Sequence, residues 1–417
     1  MRKRRLLAAS QIEYLARMKF AFLGLDADTL ALARYLIDHP EHQLTAVCEP
    51  GTWESEIARV APYAVAPWSW EALLHEPSVD AVVVAVGPEA ERAEQLIQLA
   101  KAGTPLLVAW PTCDVVAAYE LEMIRRDTQA SLVPFIPGRL HPAVEQLAAL
   151  VQAGESSSLG QVEQVVIERY APERDRPSVL RLFTRDVALV RALVGDLTKI
   201  SAMGPAPGSA AWGNLSVQMS AENGVLVRWS IQPPDAWCGA RMVVVGALGK
   251  ATLERPAVDV AWALTLPRNA ETLLVGEGWS EAAAVIDHFV RSDATTRPSW
   301  QEACRDVETA AAVERSLARG RTIELYDDEV SEEATFKGIM AVGGCGLLLL
   351  GLLFLVSAAV VEGLDLPFRH HVLWRMWPLY LLAPILVFLL LQLLRLVFYA
   401  PASLPPGGNE SATSGDR

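Results

Sequence analysis

An apolar run that ends in glycine and is followed at once by a segment of helical period restricts what the first third of this chain can fold into. From Lys19 the chain reads KFAFLG, and the following DADTLALARYLIDHP brings Leu30, Ala33, Leu36 and Ile37 onto one helical face. A second strand, Gln43 to Cys48, ends at Glu49, which lies 25 residues beyond Gly24. That spacing matches the dinucleotide-binding βαβ unit, where an acidic residue closing the second strand receives the ribose hydroxyls. Further strands are expected over Val79 to Pro88 (VDAVVVAVGP), Thr104 to Trp110 (TPLLVAW) and SLVPFI, separated by helices through Ala93 to Lys101 and from Asp114. Strands and helices alternating in this way predict a Rossmann-like, doubly wound parallel sheet with helices on both faces.

The phosphate loop departs from that plan. The fingerprint G-x-G-x-x-G reads Gly24-Leu25-Asp26-Ala27-Asp28-Thr29, so one glycine of three is kept. The second glycine normally lets backbone N–H groups approach the pyrophosphate; Asp26 instead puts a carboxylate where a dianion would lie. Two like charges at ~4 Å repel by about 1 kcal/mol in water and several times more at lower effective dielectric. Thr29 in place of the third glycine loosens helix–strand packing less severely. Gly24, Asp26, Thr29, Glu49, Pro88 and Pro111 are the candidate cofactor contacts.

Beyond about residue 145 the pattern changes. Short alternating or β-branched segments at Gln161–Arg169, Leu197–Met203, Leu215–Ala221, Gly224–Ile231, Arg241–Gly246, Lys250–Arg255 and Val258–Leu264 are parted by Gly, Pro and Asn turns. They predict an α+β domain with a predominantly antiparallel sheet, entered through a helix over Arg181–Gly195.

Four segments in this order resemble the glucose-fructose oxidoreductase and inositol dehydrogenase (Gfo/Idh/MocA) family, over about Met18 to Leu325. The strand followed by P-x-x-x-H is similar to Val82–Arg92, with Pro88 kept and Arg92 in the histidine's place. The helix and A-G-K-H-V-L-x-E-K-P segment is similar to Ala100–Pro111, the R-x-x-P signature to Arg139-Leu140-His141-Pro142, and the late helix to Ser299–Leu325. The resemblance implies NAD or NADP as cofactor, a sugar-like or polyol substrate, a lysine from E-K-P that polarises the substrate oxygen, and a histidine from H-x-x-D that relays its proton. The lysine's place is taken by Trp110, the histidine's by Arg185 and the aspartate's by Ala188. Arginine stays protonated and indole has no titratable proton in range, so neither performs acid/base work near neutral pH.

Trp110 reads as a packing residue filling space left by a cofactor or as a stacking platform for a ligand. Arg185 pairs with Asp186 across the old cleft or clamps an anionic ligand, with Arg139 and Arg181 as further candidates. His39, His42 and His75 fall in polar turns and His288 on an amphipathic helix. His370 and His371 adjoin without a third ligand, so no metal site is expected.

Composition adds a second layer. Hydrophobic residues make up 52% of 417, yet the formal net charge is −13, from 36 basic and 49 acidic residues. Such acidity argues against nucleic acid as a partner. Gly338–Val361 carries no charged residue, and Met376–Leu394 is apolar between Arg375 and Arg395; both have the length of membrane spans. They predict a hairpin in the lipid bilayer, followed by a disordered tail over 400–417. The spans carry no ionisable residue at their centres, which argues against transport. Residues 1–17 form a basic extension, with Met18 a candidate true start. That extension holds five basic and one acidic residue, and the region from Gly338 four of each, leaving Met18–Lys337 with 27 basic against 44 acidic, or −17.

The organisation expected is therefore a Rossmann-like domain over 18–145, a second domain over 146–330 whose last helix returns to the first, and two transmembrane helices over 338–361 and 376–394. The five cysteines, Cys48, Cys113, Cys238, Cys304 and Cys345, contain no C-x-x-C pair, which points to a reducing compartment and a globular part facing the cytoplasm. Two functions follow: a catalytically degenerate, membrane-anchored binding or scaffold module, able to pair with a second copy through its antiparallel sheet; or an active NAD(P)-dependent oxidoreductase with divergent residues.

Overall fold

The computed structural model describes residues 17–39, 41–64, 69–206, 208–234, 239–256, 261–267, 272–275, 280–291, 298–325, 349–361, 363, 376, 379, 382 and 386. The chain divides into two compact units, Met1–Tyr326 and Asp327–Arg417.

In the first unit, β1 (Lys19–Leu23), β2 (Gln43–Cys48), β3 (Ala81–Val84), β4 (Leu106–Ala109) and β5 (Leu132–Phe135) form a parallel sheet in the order β2-β1-β3-β4-β5. Every residue of β3, β4 and β5 is buried, as expected of strands covered on both faces. The flanking helices are α1 (Ala27–Asp38), α2 (Glu54–Val60), α3 (Glu89–Lys101) and α4 (Val115–Thr128). The order reverses at β1, which pairs with β2 on one side and β3 on the other. That switch point opens a crevice at the strands' carboxyl ends.

The chain then runs through α5 (Pro142–Gln152), β6 (Val162–Tyr170) and α6 (Arg176–Val194) into β7 (Leu197–Met203), β8 (Ser216–Ala221), β9 (Leu226–Gln232), β10 (Gly239–Gly246), β11 (Gly249–Pro256), β12 (Trp262–Thr265) and β13 (Thr272–Val275). Two helices follow, α7 (Ser280–Arg291) and α8 (Trp300–Arg319), then the short β14 (Ile323–Glu324). These strands make a nine-stranded sheet in the order β13-β12-β11-β10-β6-β9-β8-β7-β14. The sheet is predominantly antiparallel, as expected, with one parallel pair, β6 with β9. Helix α6 carries the chain away from β6, and the β7-β8-β9 meander returns beside it in the same direction. The domain-boundary helix also begins five residues earlier than expected, where Asp175 caps it by accepting from the Ser178 N–H at 3.1 Å.

Helix α8 belongs to both sheets' cores. Its Trp300, Ala303, Cys304 and Val307 pack with the parallel sheet, while Ala310, Ala312 and Val313 pack with the nine-stranded one. Ser299 and Glu302 form its capping box. The Trp300 indole donates to the Ala118 carbonyl at 3.0 Å, and Ser316 accepts from the Ala202 N–H at 3.0 Å, so one end is fastened to α4 and the other to β7.

In the second unit, residues 349–361 are helical, and Leu349, Leu352, Leu353 and Leu355 are exposed. No helix among the described residues is long and apolar enough to cross a membrane. Most of both expected spans lies outside the described residues, as do residues 1–16, Cys238, Cys345, His370, His371 and the tail over 400–417.

Candidate functional site

At the switch point, Gly24 ends β1 with φ +76° and Asp26 caps α1. One Asp26 carboxylate oxygen accepts from the Thr29 N–H at 2.8 Å, and the other accepts from the Val86 N–H at 3.0 Å, across the crevice on the loop after β3. The Thr29 hydroxyl in turn accepts from the Asp26 N–H at 2.9 Å. A helix N-terminus is where a dinucleotide's pyrophosphate is ordinarily held by backbone N–H groups. Here the chain supplies its own anion to those donors.

Arg92, on α3, fills the space beside it and is 4% exposed. A Cβ at Gly24 would lie 2.8 Å from its Nη2, and one at Gly87 2.6 Å from its Nε. The guanidinium therefore lies flat against two backbone segments that only glycine leaves bare. It donates to Gln95 Oε1 at 2.9 Å, and its Nη1 stands 3.7 Å from Glu49 Oε2. Gln95 also donates to Glu49, at 3.4 Å. Burial works to lower the Arg92 pKa, while Glu49, Glu91 and Asp26 oppose it. Glu49, the candidate ribose ligand, thus has a cation as partner, and its own backbone sits at φ +52°, a region costly for a non-glycine residue. Arg92 Nε is buried with no hydrogen-bond partner.

The positions expected for catalysis are brought to one wall, in other roles. Trp110 is 0% exposed and meets Trp300 edge-on with ring centroids 4.8 Å apart. It is a core residue, which removes it from the ligand-pocket candidates. Pro111 follows it through a cis peptide bond. Ala188 packs into the same core.

Arg185 does not pair with Asp186, and that expectation is also corrected. Arg185 donates to the Trp110 carbonyl at 3.1 Å and its Nη1 meets Asp28 Oδ2 at 2.9 Å, tying α6 to the first turn of α1. Asp186, on the inner side of α6, accepts from Arg169 Nε at 2.9 Å, from Arg169 Nη2, and from the Trp229 indole at 2.9 Å. Neighbouring residues on a helix do not face one another, so the two side chains take partners on different faces.

Near this wall stand charges the sequence did not single out. Arg255 donates to the Pro137 carbonyl at 3.3 Å and lies over the Trp262 ring at 5.1 Å; Glu281 accepts from the Gly138 N–H. Burial raises the Glu281 pKa and lowers that of Arg255, which Arg169 lowers further. His141, from the R-x-x-P segment, stacks on Trp262 at 3.8 Å, caps α5 through Nδ1, and is pushed down to about 4 by burial and then Arg255. Arg139 acts electrostatically on His288 and Asp306.

Arg181 is exposed on the rim of an adjoining cleft of about 270 Å³, which shares Val86 and Gly87 with the crevice and is lined also by Pro111, Asp114, Thr184 and Glu314. There Arg176 pairs with Glu314. Asp28, Gly87, Arg169 and Trp229 were absent from the sequence candidates. Of these, Asp28, inside the glycine fingerprint, and Gly87, beside the Pro88 motif, carried a local signal.

No protein-family model matches the sequence, and no curated protein matches it either. Solved structures do match. The fold is similar to a myo-inositol dehydrogenase from Corynebacterium glutamicum ATCC 13032, at TM-score 0.60 and 17% identity over 75% of this chain and 99% of that one. It is equally similar to an aldose-aldose oxidoreductase from Caulobacter crescentus complexed with glycerol, at TM-score 0.61 and 16% identity over 74% and 100%. An oxidoreductase from Agrobacterium radiobacter, solved with NAD+, L-tartaric acid and magnesium, follows at TM-score 0.59 and 13% identity over 74% and 98%. The chain shares its fold with these dehydrogenases and oxidoreductases.

These residues do not fit a dinucleotide. Asp26 takes the Thr29 N–H at the head of α1, where pyrophosphate is ordinarily held, and the Val86 N–H of the loop after β3, and Arg92 lies against Gly24 and Gly87, where the cofactor would pass. Among the described residues, no group of three or more His, Cys, Asp or Glu stands ready to hold a metal ion.

Proposed function

We propose that this chain is a membrane-anchored protein of the Gfo/Idh/MocA fold that no longer transfers hydride and serves as a binding or scaffold module. The observation that carries this is the crevice filled by Asp26 and Arg92, where hydride chemistry would need an open dinucleotide site. Trp110 and Arg185, in the places of the family's lysine and histidine, support it because neither exchanges a proton near neutral pH. The remaining cleft suits a small molecule, with Arg181 as the cation that would meet an anionic group.

Anchoring rests on the two charge-free runs over 338–361 and 376–394, and the exposed leucines of 349–361 agree with an apolar environment. Cys48, Cys113 and Cys304 are free thiols, which favours the cytoplasmic side for the globular part. The nine-stranded sheet offers a face to a second copy.

The likeness to enzymes solved with NAD+ favours one other reading, a working NAD(P)-dependent oxidoreductase with divergent residues. Spectrophotometric assay of the detergent-solubilised full chain with NAD+ and NADP+ across polyols, aldoses and nucleotide sugars separates the two. The proposal expects no reduction above background; turnover with any of them overturns it. Carbonate-washed membranes should retain the chain, and protease added to intact cells should leave the globular part uncut.

A further inference from the structure

The crevice is not merely a dinucleotide site with its glycines eroded, since the groups that would contact a cofactor are each satisfied from within. The N–H groups of Thr29 and Val86 donate to the two oxygens of Asp26. Glu49, which would receive ribose hydroxyls, faces Arg92 and Gln95. Gly24 and Gly87, whose bare backbone would admit the cofactor, are covered by the Arg92 guanidinium. Arg185 ties Asp28, in the first turn of α1, to α6. An anion, a cation and a polar bridge thus stand where pyrophosphate and ribose would lie.

We infer that Asp26 and Arg92 act as a built-in plug, an intramolecular stand-in for the dinucleotide that keeps the crevice shut, and that removing both side chains reopens it to NAD(P)H. The inference rests on reading the crevice as a relic dinucleotide site. Gly24 is required by its φ of +76°, whereas the plug explains why Gly87 is glycine without a cofactor to admit, since a Cβ there would strike the guanidinium. It explains as well why Asp26 bridges two loops rather than capping α1 alone. Displacing it from outside would demand that a dianion approach the Asp26 carboxylate while the Arg92 cation was driven from burial.

The test is titration of the detergent-solubilised full chain with NADH and with NADPH, following nicotinamide fluorescence, in wild type, Arg92→Ala, and the double variant Asp26→Gly/Arg92→Ala. Removing one like charge at about 4 Å is worth about tenfold or more in affinity at intermediate dielectric. The double variant should therefore bind at least about tenfold tighter than wild type, Asp26→Gly removing the like charge and Arg92→Ala the side chain that covers Gly24 and Gly87. A double variant that keeps a cooperative melting transition and binds no better than wild type overturns the plug. So does a wild type that binds as tightly as the double variant. If losing the Asp26 cap unfolds the double variant, Asp26→Asn/Arg92→Ala, which removes the charge and keeps a capping side chain, decides, and no gain over wild type in that variant overturns the inference. Hydride transfer by wild type would sink the proposed function by itself, whereas a silent wild type with no gain in the variants sinks only the plug.

Discussion

Truncating Asp186 to alanine removes the one carboxylate that two buried donors share. Asp186 is 1% exposed and Arg169 5%, and the pair lies between β6 and α6 with the Trp229 indole donating to the same carboxylate. A buried charge left without its partner costs about 3–5 kcal/mol, and an orphaned buried N–H adds about 1–3 kcal/mol. Because both donors use one group, the two costs overlap, and about 4 kcal/mol is expected for Asp186→Ala. With a urea m-value of ~3 kcal/mol/M, the unfolding midpoint of the full chain in detergent falls by ~1.3 M. Asp186→Asn keeps the volume and one acceptor oxygen and should lose about half as much. Arg169→Met/Asp186→Leu replaces the pair with apolar groups of similar size and should lose less than either alanine truncation, in line with the behaviour of buried ion pairs elsewhere. A midpoint for Asp186→Ala within ~0.2 M of wild type would refute the reasoning. It would mean that the carboxylate is not committed to Arg169 and remains available for chemistry.

Two further perturbations probe the same wall. His141 ordinarily titrates near 6.5 but is held at about 4 in the fold, so the unfolded chain takes up its proton first as pH falls. Its contribution is complete above pH 6.5 and is lost progressively down to about pH 4, by about 3 kcal/mol in all; the difference in melting temperature between wild type and His141→Asn, measured from pH 7.5 to 4.5, should be constant above pH 6.5 and change only below it. Gly87→Ala places a methyl 2.6 Å from Arg92 Nε and must push the guanidinium out, at a cost of about 1–3 kcal/mol. Denaturation of the double variant Gly87→Ala/Arg92→Ala should show most of that cost relieved, and an additive pair of losses would contradict the contact.

The parallel sheet was legible because buried strands write themselves as unbroken apolar runs. Gln43–Cys48 coincides with β2, and Lys19, Val79 and Thr104 each lie at or within two residues of a strand's start. The parallel pairing of β6 with β9 was not legible, since nothing local in either strand records which neighbour a long crossover will deliver. Two short strands, β13 and β14, were missed; β14 is two residues long and exists only by pairing with β7. At the site, the substitutions at Asp26, Trp110 and Arg185 marked the departure from the dehydrogenase pattern. Their partners were hidden because they come from distant segments. Asp26 finds Val86 sixty residues on, Arg185 finds Asp28, and Trp110 finds Trp300. Arg92 was visible as the replacement for a motif histidine, but its length is what lets it reach Gly24 and Glu49 together, and only the fold states that.

Direct titration of the wild-type full chain with NADH and NADPH tests the central claim, that this crevice is shut by its own side chains. Nicotinamide fluorescence should show no saturable binding up to millimolar cofactor. Saturable binding in the micromolar range, with either cofactor, would contradict it.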